Sequence, residues 1–181
     1  MRLLAISGSL RSGSHNTELL RAAGADLPED VEFVLWSGLA GIPAYDWDLD
    51  VVPSPRPVAE LRAEIERSDA VLIATPEYNS SIPGALKNAL DWASRPYPGN
   101  ALQRKPVAVI GASTGLFGAL AAQAELRKVL KTIGADVLDA GLSLPAAGTA
   151  LTDGRLRDRD LASALRMIVD DLLGTQIERA A

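Results

Sequence analysis

The chain has 181 residues, 48% hydrophobic and 23% charged, and its 18 Lys plus Arg against 23 Asp plus Glu leave a net charge of −5, a composition that suits a single globular domain spanning 1–181. The absence of cysteine and the presence of one histidine, His15, exclude disulfides, thiolate metal sites, cysteine nucleophiles and a multi-histidine metal site within one chain. With no Lys/Arg-rich run, no apolar stretch near the roughly 20 residues that span a bilayer, and Met1-Arg2 leading straight into a strand-like run, the sequence predicts a cytoplasmic protein with no nucleic-acid and no membrane partner.

Residues 2–7 (RLLAIS) form a short apolar run that stops at Gly8, and after a polar loop a helical pattern begins near Asn16. Residues 31–35 are strand-like and 57–67 helix-like, followed by a strand at 70–75 (AVLIAT) and a helix at 83–93. A fourth strand is expected at 106–112 (PVAVIGA), a helix at 119–133, a fifth strand at 136–142 and a closing helix at 160–173, with 176–181 frayed. Strands of continuous Val, Ile, Leu and Ala suit a parallel sheet covered on both faces, because a half-exposed strand would alternate apolar with polar. The fold class is therefore α/β: a doubly wound, five-stranded parallel sheet with helices on both faces. The longest irregular stretch, 36–56, carries Pro43, Pro53, Pro55, Asp46, Asp48 and Asp50, and loops of that length in compact α/β domains are usually functional or mobile.

Ligands of open α/β sheets sit at the carboxyl ends of the strands, where the strand order reverses, so the loop after the first strand is the first candidate site. It reads Gly8-Ser9-Leu10-Arg11-Ser12-Gly13-Ser14-His15-Asn16-Thr17. Backbone amides, hydroxyls and the positive end of a helix suit a phosphate dianion there, and Arg11 adds a guanidinium fork. Gly8 and Gly13 have the spacing of a nucleoside-triphosphate loop, but Ser14-His15 replaces its Lys-Ser/Thr. Leu10 stands where a dinucleotide fingerprint needs its second glycine. A terminal monophosphate is the better fit; the plainer alternative is that the same residues make only a turn and a helix cap. After the third strand comes Thr75-Pro76-Glu77-Tyr78-Asn79-Ser80-Ser81-Ile82-Pro83, running into a helix that ends near Trp92; by itself this could be a strand-to-helix connection and nothing more.

These two segments together resemble the NAD(P)H-dependent FMN reductases of flavodoxin-like fold, which include chromate, quinone and azo-dye reductases. The likeness is carried by Gly8-Ser9-Leu10-Arg11 with Gly13-Ser14 and Asn16, by the run from Pro76 to Trp92, and by Gly111-Ala112-Ser113-Thr114-Gly115 with Gln123 and Leu126-Arg127. It implies strand order 2-1-3-4-5, an order for which flavodoxin itself is a stock example, with FMN at the switch point. It further implies that Ser9, Arg11, Ser14, His15 through its backbone, and Asn16 hold the FMN phosphate. Pro76, Glu77, Tyr78 and Asn79 would line one edge of the isoalloxazine, and Ser113, Thr114 and Gly115 the other. NADPH or NADH would be the reductant, a small molecule the electron acceptor, and the assembly a homodimer or homotetramer. Two positions depart from the family pattern: Ser80 replaces a frequent aromatic, and Ala119 follows Gly118 where a second glycine is common.

The competing function is a non-catalytic, flavodoxin-like electron carrier. Such carriers are strongly acidic and shield the ring with aromatics, whereas this chain carries −5 and eight aromatic residues. A phosphoacceptor receiver would need an acidic pair where Gly8 and Ser9 stand. No catalytic residue is singled out, since hydride transfer through a flavin depends on positioning more than on acid-base chemistry. Trp92 is expected at a subunit contact, where Trp is enriched, and Trp36, Tyr45 and Trp47 as loop anchors or pocket walls. The amides at 113–118 are expected to be free and to favour the anionic reduced flavin.

Overall fold

A computed structural model of the chain describes every residue except Asp153 and Ala181, with the backbone alone at 175–180. In chain order the elements are β1 (Arg2–Ser7), α1 (His15–Gly24), β2 (Glu32–Trp36), α2 (Arg56–Arg67), β3 (Ala70–Thr75), α3 (Gly84–Ala93), β4 (Pro106–Ala112) and α4 (Leu120–Ile133). They continue as β5 (Asp136–Val137), β6 (Ser143–Leu144), α5 (Ala147–Ala150), β7 (Leu151–Thr152), β8 (Arg155–Leu156) and α6 (Arg159–Ala180). The main sheet is parallel with order β2-β1-β3-β4-β5, and β6 also pairs with β4.

Every residue of β3 and β4, and all of β1 but Arg2, is buried, which is why these strands show no polar alternation. The two-residue period still sorts their side chains onto two faces. Leu3, Ala5, Leu72, Ala74 and Ile110 pack with Leu19 and Leu20 of α1 and Leu165, Ile168 and Leu172 of α6. Leu4, Ile6, Val71, Ile73 and Val109 meet Leu61 and Ile65 of α2, Leu86 and Leu90 of α3, and Leu126 and Leu130 of α4. Each buried Leu or Ile contributes about 1.5–3 kcal/mol, so both faces are needed to hold the sheet.

The fifth strand differs from expectation. Instead of one strand over 136–142 there are two short pieces, β5 and β6, with a detour between them. The cause is Arg127, whose Nη2 donates to Val109 O at 2.9 Å and so takes the β4 carbonyl that a continuous neighbour would have used. Gly141 makes room for it: a Cβ there would collide with Arg127 Nη2 and lie 2.7 Å from Val109 O. Pairing resumes on either side, with Leu138 N donating to Val107 O (2.9 Å) and Gly111 N to Leu142 O (2.8 Å). The antiparallel β7–β8 pair was not foreseen, because two-residue strands are too short to show a period. The expected fraying of 176–181 falls on residues whose side chains, and for Ala181 the backbone, lie outside the described residues.

The loop between β2 and α2 is pinned rather than loose. Trp92 Nε1 and Asn88 Nδ2 both donate to Pro43 O, at 2.9 and 2.8 Å, and Tyr45 N donates to Asn88 Oδ1 at 2.7 Å. Arg62 bridges Asp50 Oδ1 and Trp92 O, at 2.8 and 2.9 Å. Trp92 is fully buried, edge-on to Tyr45 with ring centroids 4.9 Å apart. Its expected place at a subunit contact is therefore corrected: the indole serves its own protomer, holding the loop through a hydrogen bond the ring could not make in an all-apolar pocket. Tyr45 is the loop anchor expected of it, whereas Trp47 stays exposed beneath Arg95.

Candidate functional site

The loops after β1, β3 and β4 converge at the carboxyl ends of the strands around a cleft of about 280 Å3. The first loop contributes Ser9, Arg11, Ser14, His15 and Asn16, the second Pro76, Glu77 and Tyr78, and the third Ala112, Ser113 and Thr114. Ten of the twelve expected site residues thus line one cavity. Asn79 and Gly115 do not; Ala112, which does, lacked any polar group that could have marked it in the sequence. A groove of about 330 Å3 between α1 and α6 is larger but shares no residue with these loops.

Ser14 caps α1 with extended backbone, and its Oγ accepts from Thr17 N at 3.3 Å. Glu18 N donates to Ser14 O (3.0 Å) as the first intrahelical bond. The amides of His15 and Asn16 have no carbonyl one turn earlier and stay open at the positive end of the helix. Thr17 Oγ1 ties this end to Ser7 Oγ at 2.8 Å, and Gly8 N donates to Ala74 O at 2.8 Å. A Cβ on Gly8 would come within 2.9 Å of Leu86 Cδ2 and 3.3 Å of Ala74 O, so a side chain there would press on α3 where the chain leaves β1. The exposed Arg11 folds back to donate to Gly13 O at 2.5 Å, and His15 Nδ1 lies 3.3 Å from Glu18 Oε2.

Asn16 departs from its expected task of presenting a side chain to a ligand. Its amide is buried and reads the end of β4 as a neighbouring strand would, Nδ2 donating to Ala112 O and Oδ1 accepting from Ala112 N, both at 2.9 Å. Only its backbone N–H remains for the cleft.

In the second loop Tyr78 and Ser81 exchange backbone hydrogen bonds of 3.0 and 3.1 Å around Asn79 and Ser80, both left-handed with φ of 54° and 60°. That is the geometry of a type I′ turn, and Asn79 is spent on making it. Glu77 reaches across to the first turn of α4, where Oε2 accepts from Ala121 N and Ala122 N at 2.9 and 3.2 Å. Within the stretch 113–118 expected to present free amides, Ser113 N and Gly115 N are engaged, while the amides taken by Glu77 lie further on, in the first turn of α4. Ala119 precedes α4 in the left-handed region with φ 63°, a conformation a glycine would adopt without the Cβ penalty.

The third loop is braced from below. Ser113 N donates to Leu144 O (3.0 Å), Ala147 N to Ser113 O (3.0 Å), and Ser113 Oγ accepts from Gly115 N (3.0 Å). Gly118 has φ +56°, and a Cβ would sit 2.6 Å from Leu144 N. Buried Gln123 donates through Nε2 to Gly118 O (3.1 Å) and Ser143 Oγ (2.9 Å). Burial pulls the neighbouring Arg127 guanidinium below its ordinary value, an effect Asp139 opposes. On the rim Tyr78, Leu116, Phe117 and Leu120 are exposed. Among the described residues no His, Cys, Asp and Glu group could hold a metal, and no helix is long and apolar enough to cross a membrane.

Two open amides, seryl hydroxyls and an exposed guanidinium at one end of the cleft are the donor set of a phosphate monoester, and this fits FMN. Comparison with known proteins agrees. An NAD(P)H-dependent FMN reductase of Pseudomonas aeruginosa is 46% identical over 130 residues, 72% of this chain and 69% of that protein. A quinone reductase of Escherichia coli K12 is 38% identical over 140 residues, 77% of this chain and 74% of that protein. Among solved structures, the flavoenzyme NAD(P)H:(acceptor) oxidoreductase FerB of Paracoccus denitrificans superposes with a TM-score of 0.87 at 37% identity, covering 98% of this chain and 97% of that one. Residues 1–149 match the family described as NADPH-dependent FMN reductase, and the chain belongs to that family.

Proposed function

We propose that this protein oxidises NADPH or NADH and passes the electrons through FMN, held in the cleft described above, to a small-molecule acceptor of the quinone class. The observation that carries the reading is the open amino end of α1 beside Ser9, Arg11 and Ser14, in the same cleft as the loops after β3 and β4. The quinone class is favoured because relatives at 38–41% identity are named quinone reductase or 2-hydroxy-1,4-benzoquinone reductase.

When bound, FMN supplies the two-electron chemistry, accepting hydride from the reduced nicotinamide and yielding electrons to the acceptor. The chain's own part is positional. The His15 and Asn16 amides, the Ser9 and Ser14 hydroxyls and the Arg11 guanidinium would hold the phosphate. The loop carrying Pro76, Glu77 and Tyr78 and the loop carrying Ser113 and Thr114 would hold the ring between them. His15 is given no proton-transfer role, because hydride transfer through a flavin depends on positioning more than on acid-base chemistry.

Tyr78 on the cleft wall and Leu116 and Phe117 in the loop after β4 are 53%, 85% and 75% exposed, and such apolar exposure supports a homodimer or homotetramer that covers it. We place the enzyme in the cytoplasm, and the net charge of −5 without a Lys/Arg-rich run supports the reading that it has no nucleic-acid partner. Sedimentation at micromolar concentration tests the assembly: a lone 19.1 kDa species rejects it. Steady-state kinetics test the chemistry, because a nicotinamide and an acceptor that use the same bare face in turn give parallel double-reciprocal lines. Intersecting lines, or a purified protein that neither retains nor binds FMN, reject the reading.

A further inference from the structure

One helix, α1, begins in the wall of the cleft, another, α4, begins within reach of the wall residue Glu77, and the two are treated oppositely. The start of α1 leaves the His15 and Asn16 amides open, whereas the start of α4 is closed. Leu120 N donates to Phe117 O (3.1 Å), and Ala121 N and Ala122 N both donate to Glu77 Oε2. α4 has no cap from its own preceding residue, since Ala119 offers no side-chain acceptor. The carboxylate therefore comes from a different loop, and Glu77 is at the same time a wall of the cleft.

The charges decide the consequence. A helix amino end is equivalent to roughly +0.5 of an elementary charge, and a carboxylate placed on it more than cancels that, leaving roughly −0.5. We infer that Glu77 is a positioning residue that also sets the flavin's reduction potential: it holds the loop after β3 to α4 and reverses the field that this helix would otherwise project into the cleft. The inference rests on FMN occupying the cleft as proposed above. Reduction adds negative charge to the flavin, so the closed α4 end opposes reduction and keeps the reduced cofactor a strong donor. The phosphate, itself anionic, is left to the open α1 end. One cleft thus presents a positive pole for the permanent charge and a negative pole beside the charge that comes and goes.

The size follows from the cleft. A charge held within about 280 Å3 lies within on the order of 10 Å of a residue that lines it, and at an effective dielectric near 20 Coulomb's law gives a factor on the order of ten. Glu77→Gln keeps an oxygen for the Ala121 and Ala122 amides and removes the charge. It is expected to tighten reduced FMN over oxidised FMN by about tenfold relative to wild type, a midpoint potential higher by about 30 mV for a two-electron couple. Spectroelectrochemical titration of the FMN-loaded protein reads the potential, and titration of apoprotein with oxidised and with reduced FMN reads the ratio independently. Glu77→Ala should move the potential the same way and also lower the thermal midpoint of the apoprotein, since α4 then loses its cap. A potential in both variants that equals or falls below that of wild type overturns the electrostatic role while leaving FMN binding intact. Wild-type protein that does not bind FMN overturns the functional reading, and this inference with it.

Discussion

Replacing Asn16 by Ala separates stability from ligand binding at this site. In the folded protein the Asn16 side chain satisfies both the amide and the carbonyl of Ala112, which is 2% exposed, and water cannot readily take its place. Each buried polar group left without a partner costs about 1–3 kcal/mol, so the pair should cost about 2–5 kcal/mol. For a chain of this size each kcal/mol moves the thermal midpoint by about 2–4 °C, giving a fall on the order of 10 °C. Calorimetry of the apoprotein measures this, and titration with FMN and riboflavin measures what the phosphate contributes. The ratio of the two affinities should survive, because the Asn16 amide N–H is retained. Asn16→Asp sharpens the test. Its carboxylate can accept from Ala112 N but not donate to Ala112 O, so burial raises its folded pKa above the unfolded value of about 3.9. In the window between those two values the native state binds more protons than the unfolded one, and stability should rise as pH falls through it. A fall in stability below 0.5 kcal/mol, or an Asn16→Ala protein that keeps its stability but loses the preference for FMN over riboflavin, would refute the assignment of this side chain to the β4 end.

Arg11→Ala should weaken FMN by about 1.5 kcal/mol, the low end for a charged hydrogen bond, because the guanidinium must first leave Gly13 O; riboflavin affinity, measured in parallel, should not change. Gly141→Ala should destabilise by about 2–4 kcal/mol in urea unfolding, from overpacking against Arg127 and the lost bond to Val109 O. In an Arg127→Met background the same change should cost distinctly less, and equal costs in the two backgrounds refute the coupling. His15→Ala should slow flavin reduction by nicotinamide less than tenfold, about 1.4 kcal/mol of barrier, in stopped-flow bleaching. Ala119→Gly should stabilise the protein by about 0.5 kcal/mol, the difference between relieving a left-handed alanine and the added freedom of the unfolded chain, as read by its urea midpoint.

The central strands were legible because burial on both faces leaves a signature in every residue: β1, β3 and β4 begin and end where their apolar runs do. Helix starts fell within one residue, since Ser14 and the prolines before α2 and α3 mark them chemically. The fifth strand was not legible, because what interrupts it is a guanidinium from α4, 14 residues away from Gly141, and no local pattern encodes that approach. At the site the residue types were legible and their partners were not. Asn16 and Glu77 look like ligand contacts in a loop sequence, yet each spends its side chain on backbone groups distant in the chain. Trp92 misled for the same reason: its buried indole N–H is satisfied by Pro43, 49 residues earlier.

The Arg127 insertion also bears on what this protein does at high concentration. The last strand of an open sheet is a row of unpaired amides and carbonyls that another chain can extend, the usual starting point of edge-to-edge aggregation. Here the margin beyond β4 offers two-residue pieces separated by a detour, and the carbonyl at its middle is already taken by a cation that carries its own charge into the seam. A strand arriving from a second molecule would find no continuous ladder to join, and would have to displace a guanidinium to make one. The same residues that interrupt the sheet therefore close this edge of it, and Arg127→Met protein should be the variant that polymerises on heating.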